Sequence, residues 1–327
     1  MQASEIRRSV DTFVERQLLT SHEHRGQFEA SRNALLRVQT LFGDSNGQGL
    51  AAGLNEFFSA WQDVATNPSD ATARTVLLSK AGSVATRFNE HAVELAAQRQ
   101  ALDGQIGQAI TDINQLASRI AALKESISHA EFSGQQANDL RDQRGLLVNQ
   151  LGELAEISTI DDGTGQLTVF VGKGQILVDK HRAYTLSGVA DPANSGLLTV
   201  QYNGGGSPVP INSVIASGRL KGLLDVRDQT IPSVQASFDQ LASALVTQVN
   251  SQHQAGYGLD GSTGQAFFSA GGTTAATIQV SLTNIQRIAS SSTAAGVPGN
   301  NGNALAMGNL QTSNLAALGN VTFQEFY

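Results

Sequence analysis

The apolar residues of this 327-residue chain change their spacing twice, and the fold must accommodate both changes. Spacing of three and four residues, typical of helices, continues to about residue 156. About sixty residues (roughly 157–217) follow with the alternation and Gly/Pro turns of β-structure. The stretch 139–151, DLRDQRGLLVNQL, closes the first helical region, and 218–229, GRLKGLLDVRDQ, opens the second. The sequence therefore predicts an α+β multidomain protein in which an elongated helical bundle or coiled-coil rod is interrupted by a small antiparallel β domain.

The domain boundaries follow from the same changes of period. We assign residues 1–156, 219–256 and 300–327 to one helical rod domain built from N- and C-terminal parts, and residues 157–218 to the β-rich insert. The insert is expected to be a small antiparallel sheet or a barrel. Residues 257–299 are rich in Gly, Ser and Thr, with a strand candidate at 277–282, and form either loop or part of the outer β domain.

The longest predicted helix covers residues 69–131, and Asn67 and Pro68 supply its start signal. Unbroken, it is about 90 Å long, although Gly104 and Gly107 each disfavour continuity. It is either a rod or an ordinary bundle helix. Its second half carries a heptad seam that favours coiled-coil packing: Leu102, Ile106, Ala109, Ile113, Leu116, Ile120, Leu123 and Ile127. Other helices are predicted over residues 3–40 (with a break near Gly26), 50–65, 135–155, 220–253 (interrupted at Pro232) and 303–318.

The composition excludes several functional classes. With 21 basic against 28 acidic residues and no basic stripe, the chain lacks the clustered cations that nucleic-acid binding requires. The absence of cysteine excludes disulfides, zinc–thiolate sites and thiol nucleophiles together. No apolar run approaches the roughly 18 residues of a membrane span, and the N-terminus does not resemble a signal peptide. We therefore expect no membrane insertion, and export either by a route without a cleaved signal or from a longer native chain.

The charge content points toward self-association. Charged residues make up only 15% of the chain, against about 25% in an ordinary soluble domain. Asn, Gln, Ser and Thr supply the polar surface instead. Such a surface repels its own copies weakly, so the composition favours packing against like neighbours.

No group of residues makes a recognisable catalytic, cofactor or metal site, and we expect none. The tripeptide at 22–24 (HEH) is the only local His/Glu cluster, but residues i and i+2 do not share a helix face, so a solvated face explains it better. The run 161–165 (DDGTG) lacks the further ligands of a calcium loop and is interpreted as a turn. Asp225 and Asp228 flank Arg227 at an expected helix start, where capping and helix-dipole pairing explain them. An enzyme is therefore not expected.

Both stretches that bracket the β insert resemble the flagellar hook-associated protein 1 family, the first hook–filament junction proteins. The residues that carry the resemblance are Asp139, Asp142, Gln143, Arg144 and Leu147 in the first stretch and Gly218, Leu223, Asp225, Arg227 and Asp228 in the second. Other stretches match the same family in the same order: 54–67 (LNEFFSAWQDVATN), 246–258 (VTQVNSQHQAGYG), 300–306 (NNGNALA) and 322–327 (TFQEFY). The similarity extends through nearly the whole chain.

The resemblance implies a structural component of the bacterial flagellum, outside the cell at the hook–filament junction. The resemblance also implies that the helical rod stacks in a tubular wall and that the β insert faces outward. The implied partners are copies of the chain in a ring, the hook protein and the second hook-associated junction protein. The family normally has further segments at both ends, so we expect a core fragment with Met1 as an added start. The missing C-terminal segment is implied to bind an export chaperone.

Two other functions remain open from the sequence. One is the flagellin-like second junction protein, which the stretch 218–229 returning from a β insert disfavours. The other is a surface adhesin, which Ser/Thr/Gly-rich loops at 187–217 and 258–299 permit. An enzyme ranks last, because catalysis needs a convergent polar cluster.

Overall fold

The structure is a computed structural model of the chain, and it describes residues 11–42, 49–132, 136–161 and 166–327. The fold is α+β, as the two periods predict, with long helices and two small antiparallel sheets. The chain divides into two compact units, Met1–Arg37 with Gln98–Thr230 and Val38–Ala97 with Ile231–Tyr327. Each unit therefore combines segments that are far apart in sequence.

The described residues form eight α-helices: α1 (Thr12–Leu41), α2 (Leu50–Thr66), α3 (Ala71–Glu131), α4 (Asn138–Leu154), α5 (Gly218–Asp225), α6 (Ile231–Gln254), α7 (Gly302–Asn309) and α8 (Phe323–Phe326). They also form seven strands: β1 (Ile157–Asp161), β2 (Leu167–Val171), β3 (Gln175–Asp179), β4 (Arg182–Ala183), β5 (Thr185–Asp191), β6 (Leu197–Asn203) and β7 (Val209–Pro210). The predicted helices over residues 50–65 and 135–155 are confirmed. The one expected over 3–40 is described from Thr12 onward, and its first residues lie outside the described part of the chain.

Glycines bring α1 close to α4 and α5 in the first unit. A Cβ on Gly26 would overlap the carbonyl oxygen of Glu153 in α4. A Cβ on Gly222 in α5 would lie 2.5 Å from the carbonyl oxygen of Gln27 in α1. The missing side chains let the helix backbones touch, and Gly26 serves packing instead of breaking α1.

The long helix α3 is continuous over 61 residues, so neither Gly104 nor Gly107 breaks it. Its predicted cap was wrong. Asn67 closes α2, where its N–H donates to the carbonyl of Asp63 at 3.1 Å. Asp70 caps α3, because its Oδ1 accepts from the N–H of Thr72 at 2.8 Å. Residues 68–69 form the turn between the two helices. The long helix α3 therefore begins at Ala71 and not at residue 69.

The strands form two open antiparallel sheets, in the orders β1-β2-β3-β4 and β5-β6-β7. The predicted strands at 167–171, 198–202 and 209–211 are confirmed within one or two residues. β5 and β6 pair over seven residues, and a tight 3₁₀ turn at Pro192–Asn194 begins their connection. The expected single sheet or barrel is therefore two sheets.

Polar side chains of α3 attach that helix to the strands. The seam residues Ile106, Ile113 and Ile120 are fully buried in the first unit. Beside them, three polar side chains bond strand backbone: Asp103 accepts from the N–H of Leu198 (2.8 Å), Asn114 bonds both N–H and C=O of Leu186 (2.8 Å each), and Lys124 donates to the carbonyl of Leu167 (2.7 Å). The heptad seam thus has strands among its neighbours.

Pro232 interrupts the later helix as predicted. The interruption takes the form of a π-helical segment, Val226–Thr230, between α5 and α6. A proline ring clashes with the carbonyl four residues before it and offers no N–H to that carbonyl. The wider π-turn relieves this conflict without ending the helical path.

An aromatic core organises the second unit. Phe267 packs on Trp61 and Phe57 of α2, with ring centroids 5.5 and 5.9 Å apart, and Phe267 and Phe268 are fully buried. Residues 257–299 therefore contribute to the core around α2.

Two expectations in this unit were wrong. No strand forms at 277–282: the segment begins in a turn, and Val280 makes a single bridge to Phe268. The last predicted helix, 303–318, ends with α7, and two 3₁₀ turns follow it. Gly and Asn around these segments favour turns over regular structure.

The compact units differ from the domains expected from the sequence. The strands of 157–218 share a unit with α4, α5 and the second half of α3, because α3 bonds their backbone. Residues 257–299 share the other unit with α2, α6 and α7, because Phe267 and Phe268 enter its core.

Replacing Gly26 by alanine is expected to destabilise the first unit. The added methyl group overlaps the backbone of Glu153, and separating α1 from α4 to fit it costs about 1–3 kcal/mol. Gly104→Ala is the matched control, since a Cβ there meets no atom within 4 Å and alanine favours the helix by roughly 1 kcal/mol. Urea unfolding followed by circular dichroism measures both. Equal stability of the two variants would contradict the close approach of α1 and α4.

Candidate functional site

Within the described residues, no group of three or more His, Asp or Glu side chains is placed to hold a metal ion. The part of the chain that the structure describes also contains no helix long and apolar enough to cross a membrane. What the residues build instead is a set of buried polar clusters. They lie where segments distant in sequence meet.

The first cluster, the neck, is the place where residues 155–157 and 216–218 lie side by side as the chain passes between helices and strands. The N–H of Glu156 donates to the carbonyl of Ser217 at 3.1 Å. The N–H of Ala216 donates to Oε2 of Glu156 at 2.8 Å. The two crossings between helical and β structure are thus bonded to each other.

Glu23 of α1 holds the neck from inside. Its Oε1 accepts from the N–H of Ile157 at 3.0 Å, and its Oε2 accepts from the hydroxyl of Ser217 at 2.9 Å. Burial raises the pKa of this carboxyl above its usual 4.5, the two hydrogen bonds oppose the rise, and the nearby Glu156 adds to it. The interpretation of residues 22–24 as a solvated face was therefore wrong for Glu23.

Gly218 completes the neck. Its φ of +82° lies in the left-handed region that favours glycine, and a Cβ would lie 2.5 Å from the backbone nitrogen of Ala155. Both the conformation and the space require a glycine at the start of α5.

The second cluster surrounds Arg227, which is fully buried in the π-helical segment. Its Nη1 donates to Oδ1 of Asp103 at 2.5 Å and to the carbonyl of Leu198 at 2.9 Å. Its Nε and Nη2 form a bidentate pair with Asp228 at 2.8 and 2.7 Å. The Arg227 cluster (Arg227, Asp103, Asp228 and the backbone of Leu198) therefore joins α3, β6 and the π-helical segment at one point.

The cluster continues to the turn between β5 and β6. Asn194 donates to Asp228 at 3.0 Å and accepts from Arg99 at 2.8 Å. Arg99 also donates to the backbone carbonyl of Arg227 at 3.1 Å. The network contains two cations, Arg99 and Arg227, and two carboxylates, those of Asp103 and Asp228. Its charges therefore balance.

The structure corrects the predicted helix-start role of the pair Asp225 and Asp228. Asp225 ends α5 and pairs with Lys221 one turn before it. Asp228 lies in the π-helical segment and bonds Arg227. The helix begins earlier, at Gly218, so neither carboxylate lies at its positive end.

The remaining motif residues divide between surface and core. Three of them in α4 are exposed: Asp139, Asp142 and Gln143. Arg144 and Leu147 are buried, as is Leu223 of α5. Nη2 of Arg144 lies 3.4 Å from Oδ2 of Asp161, which connects α4 to the end of β1. The motif therefore contains both packing residues and an exposed helix face.

Arg74 performs a similar role in the second unit without a carboxylate partner among the described residues. Its Nε donates to the carbonyl of Pro68 at 2.7 Å. Its Nη1 donates to the carbonyls of Ile285 and Ile288 at 2.9 and 2.8 Å, and its Nη2 to the hydroxyl of Ser290 at 2.6 Å. Burial lowers the pKa of Arg74 to about 10, which leaves it charged at neutral pH.

Two buried asparagines hold the irregular segment 257–299. Oδ1 of Asn250 accepts from the N–H groups of Phe267 and Phe268 at 2.9 and 2.8 Å. Nδ2 of Asn303 donates to the carbonyl of Ala289 at 2.7 Å. These amides replace the ladder hydrogen bonds that a strand would have made.

His253 closes the same segment and is fully buried. Its Nδ1 bonds the carbonyl of Gln265 at 2.7 Å, and its Nε2 accepts from the N–H of Ala289 at 3.0 Å. These partners require a neutral ring with the proton on Nδ1. Burial lowers the pKa of His253 below its usual 6.5, and Arg74 lowers it further.

Sequence analysis missed the buried positions of Glu23, Asp103 and Arg74, although the position of Arg74 carried a signal. Arg74 continues the apolar spacing of α3 toward its start, ahead of Leu77, Ala81, Val84 and Phe88. A charged residue in an apolar stripe predicts a buried, bonded charge. Its acceptors lie more than 200 residues away in sequence and could not be inferred.

Replacing Arg227 by methionine should destabilise the protein by about 3–5 kcal/mol, because it leaves Asp103 and Asp228 without their cation. Lys221→Met is the matched control: its partner Asp225 is more exposed, and the expected loss is under about 1 kcal/mol. Urea unfolding at neutral pH gives both values. A small loss for Arg227→Met would show that the buried pair is dispensable.

The burial of neutral His253 should make stability fall in acid. The unfolded chain takes up this proton near pH 6.5, whereas the folded ring resists it, so the contribution is complete above about pH 6.5 and lost as pH falls below it. His253→Gln should show a shallower fall in the free energy of unfolding between about pH 7.5 and 5.5. His129→Gln, at an exposed histidine of α3, is the control. Equal slopes for the two variants would refute the assignment.

Comparison with protein families agrees with the sequence motifs. The family model described as "Flagellar hook-associated protein FlgK helical domain" matches residues 35–268. The match includes α2 to α6 and both sheets. It therefore covers well over half of the chain.

Individual relatives lead to the same family. "Flagellar hook-associated protein 1" of Salmonella typhimurium is 31% identical over 275 residues, which are 82% of this chain and 49% of the relative. The Escherichia coli K12 protein of that name is 29% identical, covering 82% of this chain and 50% of the relative. The Bacillus subtilis protein is 25% identical, with 82% and 57% covered. The chain thus spans about half the length of the curated relatives it matches.

A solved structure shares the fold. It is described as the flagellar hook junction protein FlgK from Burkholderia pseudomallei, with a TM-score of 0.66 and 30% sequence identity. The alignment covers 77% of this chain and 46% of that one. On the family model, the sequence relatives and this structure together, the chain belongs to the FlgK family of flagellar hook-associated proteins.

Proposed function

We propose that this protein is a structural component of the bacterial flagellum at the junction between hook and filament. The observation that carries the proposal is the match to proteins named flagellar hook-associated protein 1 over 82% of the chain. Because the chain spans about half of those relatives, the role of the whole relative is transferred to it here as a proposal.

The buried polar clusters support a mechanical role. Arg227 and Arg74 each bond several backbone or carboxylate oxygens, and Glu23 fixes both crossings at the neck. Such contacts hold the elements of each unit at fixed positions. Subunits that keep their shape in this way suit a junction that joins hook to filament.

In the assembled junction the proposed partners are copies of the chain in a ring, the hook protein, and the second hook-associated junction protein. The helical parts (1–156, 219–256 and 300–327) stack in the tubular wall, and residues 157–218 face outward. The exposed motif residues Asp139, Asp142 and Gln143 lie on a helix surface that suits contacts between subunits. The buried motif residues keep that surface in shape.

The proposed location is outside the cell, reached by export without a cleaved signal peptide. An export chaperone is a further proposed partner, with a C-terminal segment of the full-length protein as its binding site. No cofactor takes part in this role, and the protein works through its contacts and not through catalysis.

The test is deletion of the full-length gene in the source organism, with electron microscopy of the cells and an assay of flagellin in the medium. Hooks without filaments and monomeric flagellin in the medium are expected, and the wild-type gene should restore filaments. Full-length Lys221→Met should also restore them, whereas Arg227→Met should fail because the first unit is destabilised. Normal filaments on the deletion strain would overturn the proposal and favour a surface adhesin.

A further inference from the structure

The two outer sides of the β5–β6 pair differ in how far their backbone groups are hydrogen-bonded. Along β6, the outward backbone groups of Leu198 bond Asp103 and Arg227. Those of Val200 bond Asn212 and the N–H of Ile211. The outer edge of β6 is therefore covered by side chains, by the following loop and by β7.

Along β5, Asn114 covers a single residue of the edge. Its amide bonds both the N–H and the C=O of Leu186. Backbone groups of an antiparallel strand alternate in direction, so Gly188 and Ala190 face the same way as Leu186. Both are exposed, and neither has a hydrogen bond on that side within the described part of the chain.

The open window, meaning the outward backbone groups of Gly188 and Ala190, has defined ends. Leu186 closes one end, since Asn114 occupies its backbone groups. Pro192 closes the other, because it has no N–H and begins the 3₁₀ turn. Between them, Val189 presents its side chain to solvent, with 43% of its surface exposed.

The window is complementary to itself in one register. In an antiparallel pair with a second β5, Gly188 of each copy can face Ala190 of the other, which pairs every open N–H with an open C=O. Centring the pair on Gly188 would require the occupied groups of Leu186, and centring it on Ala190 would require the missing N–H of Pro192. Only the pair centred on Val189 uses both open residues in both copies.

We propose that the β5 edge is a docking surface for the β5 edge of a second copy of this chain, with Val189 against Val189 on the two-fold axis. The pair joins two sheets into one across the axis and adds a valine contact on the exposed face. A contact of this size is weak between free molecules, so a covalent crosslink is needed to capture it. The inference does not rest on the junction role.

Disulfide trapping tests this pairing in the purified chain, which contains no cysteine of its own. In the proposed register the two Val189 residues form a non-hydrogen-bonded pair with Cα atoms about 4.5 Å apart, within the range that a disulfide spans. Val189→Cys should therefore form a covalent dimer under mild oxidation, at least about tenfold faster than a cysteine placed outside the register.

Ser187→Cys is the matched control. It lies on the same strand and face, but the register separates the two copies of residue 187 by about 13 Å, so it should remain monomeric. Adding Ala190→Pro to Val189→Cys removes an outward N–H that the isolated fold leaves unused, and should reduce crosslinking to the Ser187→Cys rate. Circular dichroism checks that each variant is folded. Equal rates for the two cysteine variants, or crosslinking that persists in folded Val189→Cys/Ala190→Pro, would overturn the proposal.

Discussion

The buried ion pair between Arg227 and Asp103 is the contact on which the first unit depends. Moving a guanidinium and a carboxylate out of water costs several kcal/mol each, so such a pair persists only when its remaining donors and acceptors are used. Here they are used, because Arg227 also bonds Asp228 and the carbonyl of Leu198, and Asp103 accepts the N–H of Leu198. The charges that hold the pair together also fill the open edge of β6. Removing Arg227 would leave Asp103 without its cation and the carbonyl of Leu198 without its donor, whereas removing Asp103 would leave the N–H of Leu198 without its acceptor.

Elsewhere in the molecule, too, polar side chains hydrogen-bond backbone groups that have no backbone partner. Asn114 covers part of β5, Asn250 holds the backbone of Phe267 and Phe268, and Arg74 gathers carbonyls from a loop. Small sheets and irregular segments leave many backbone groups without a ladder, and each buried group needs a partner. A chain with few charges meets this need largely with amides, together with a small number of deeply buried charges.

The sequence predicted the elements well and their tertiary contacts poorly. Periodicity located α2, most of α3 and the strands 167–171 and 198–202, because a spacing of 3.6 or 2 residues reports directly on a buried face. It did not show that α3 bonds the strands, since the partners of Asp103 are 95 and 124 residues away. It also placed Asp225 and Asp228 at a helix start, because local pattern does not distinguish a capping carboxylate from one paired with a buried arginine. Motif resemblance marked Arg227, but only the fold explains why that position requires arginine.

Two isolated buried groups make the units respond to pH in opposite senses. Burial raises the pKa of Glu23 at the neck above 4.5. The folded state therefore holds this proton more tightly than the unfolded chain, so the neck is most stable in acid and weakens as pH rises through the folded pKa. His253 behaves the other way, because its lowered pKa makes the second unit weaken as pH falls below about 6.5. Glu23 bonds the first residue of β1, and His253 bonds the irregular segment 257–299, so protonation acts at the neck in one unit and on that segment in the other.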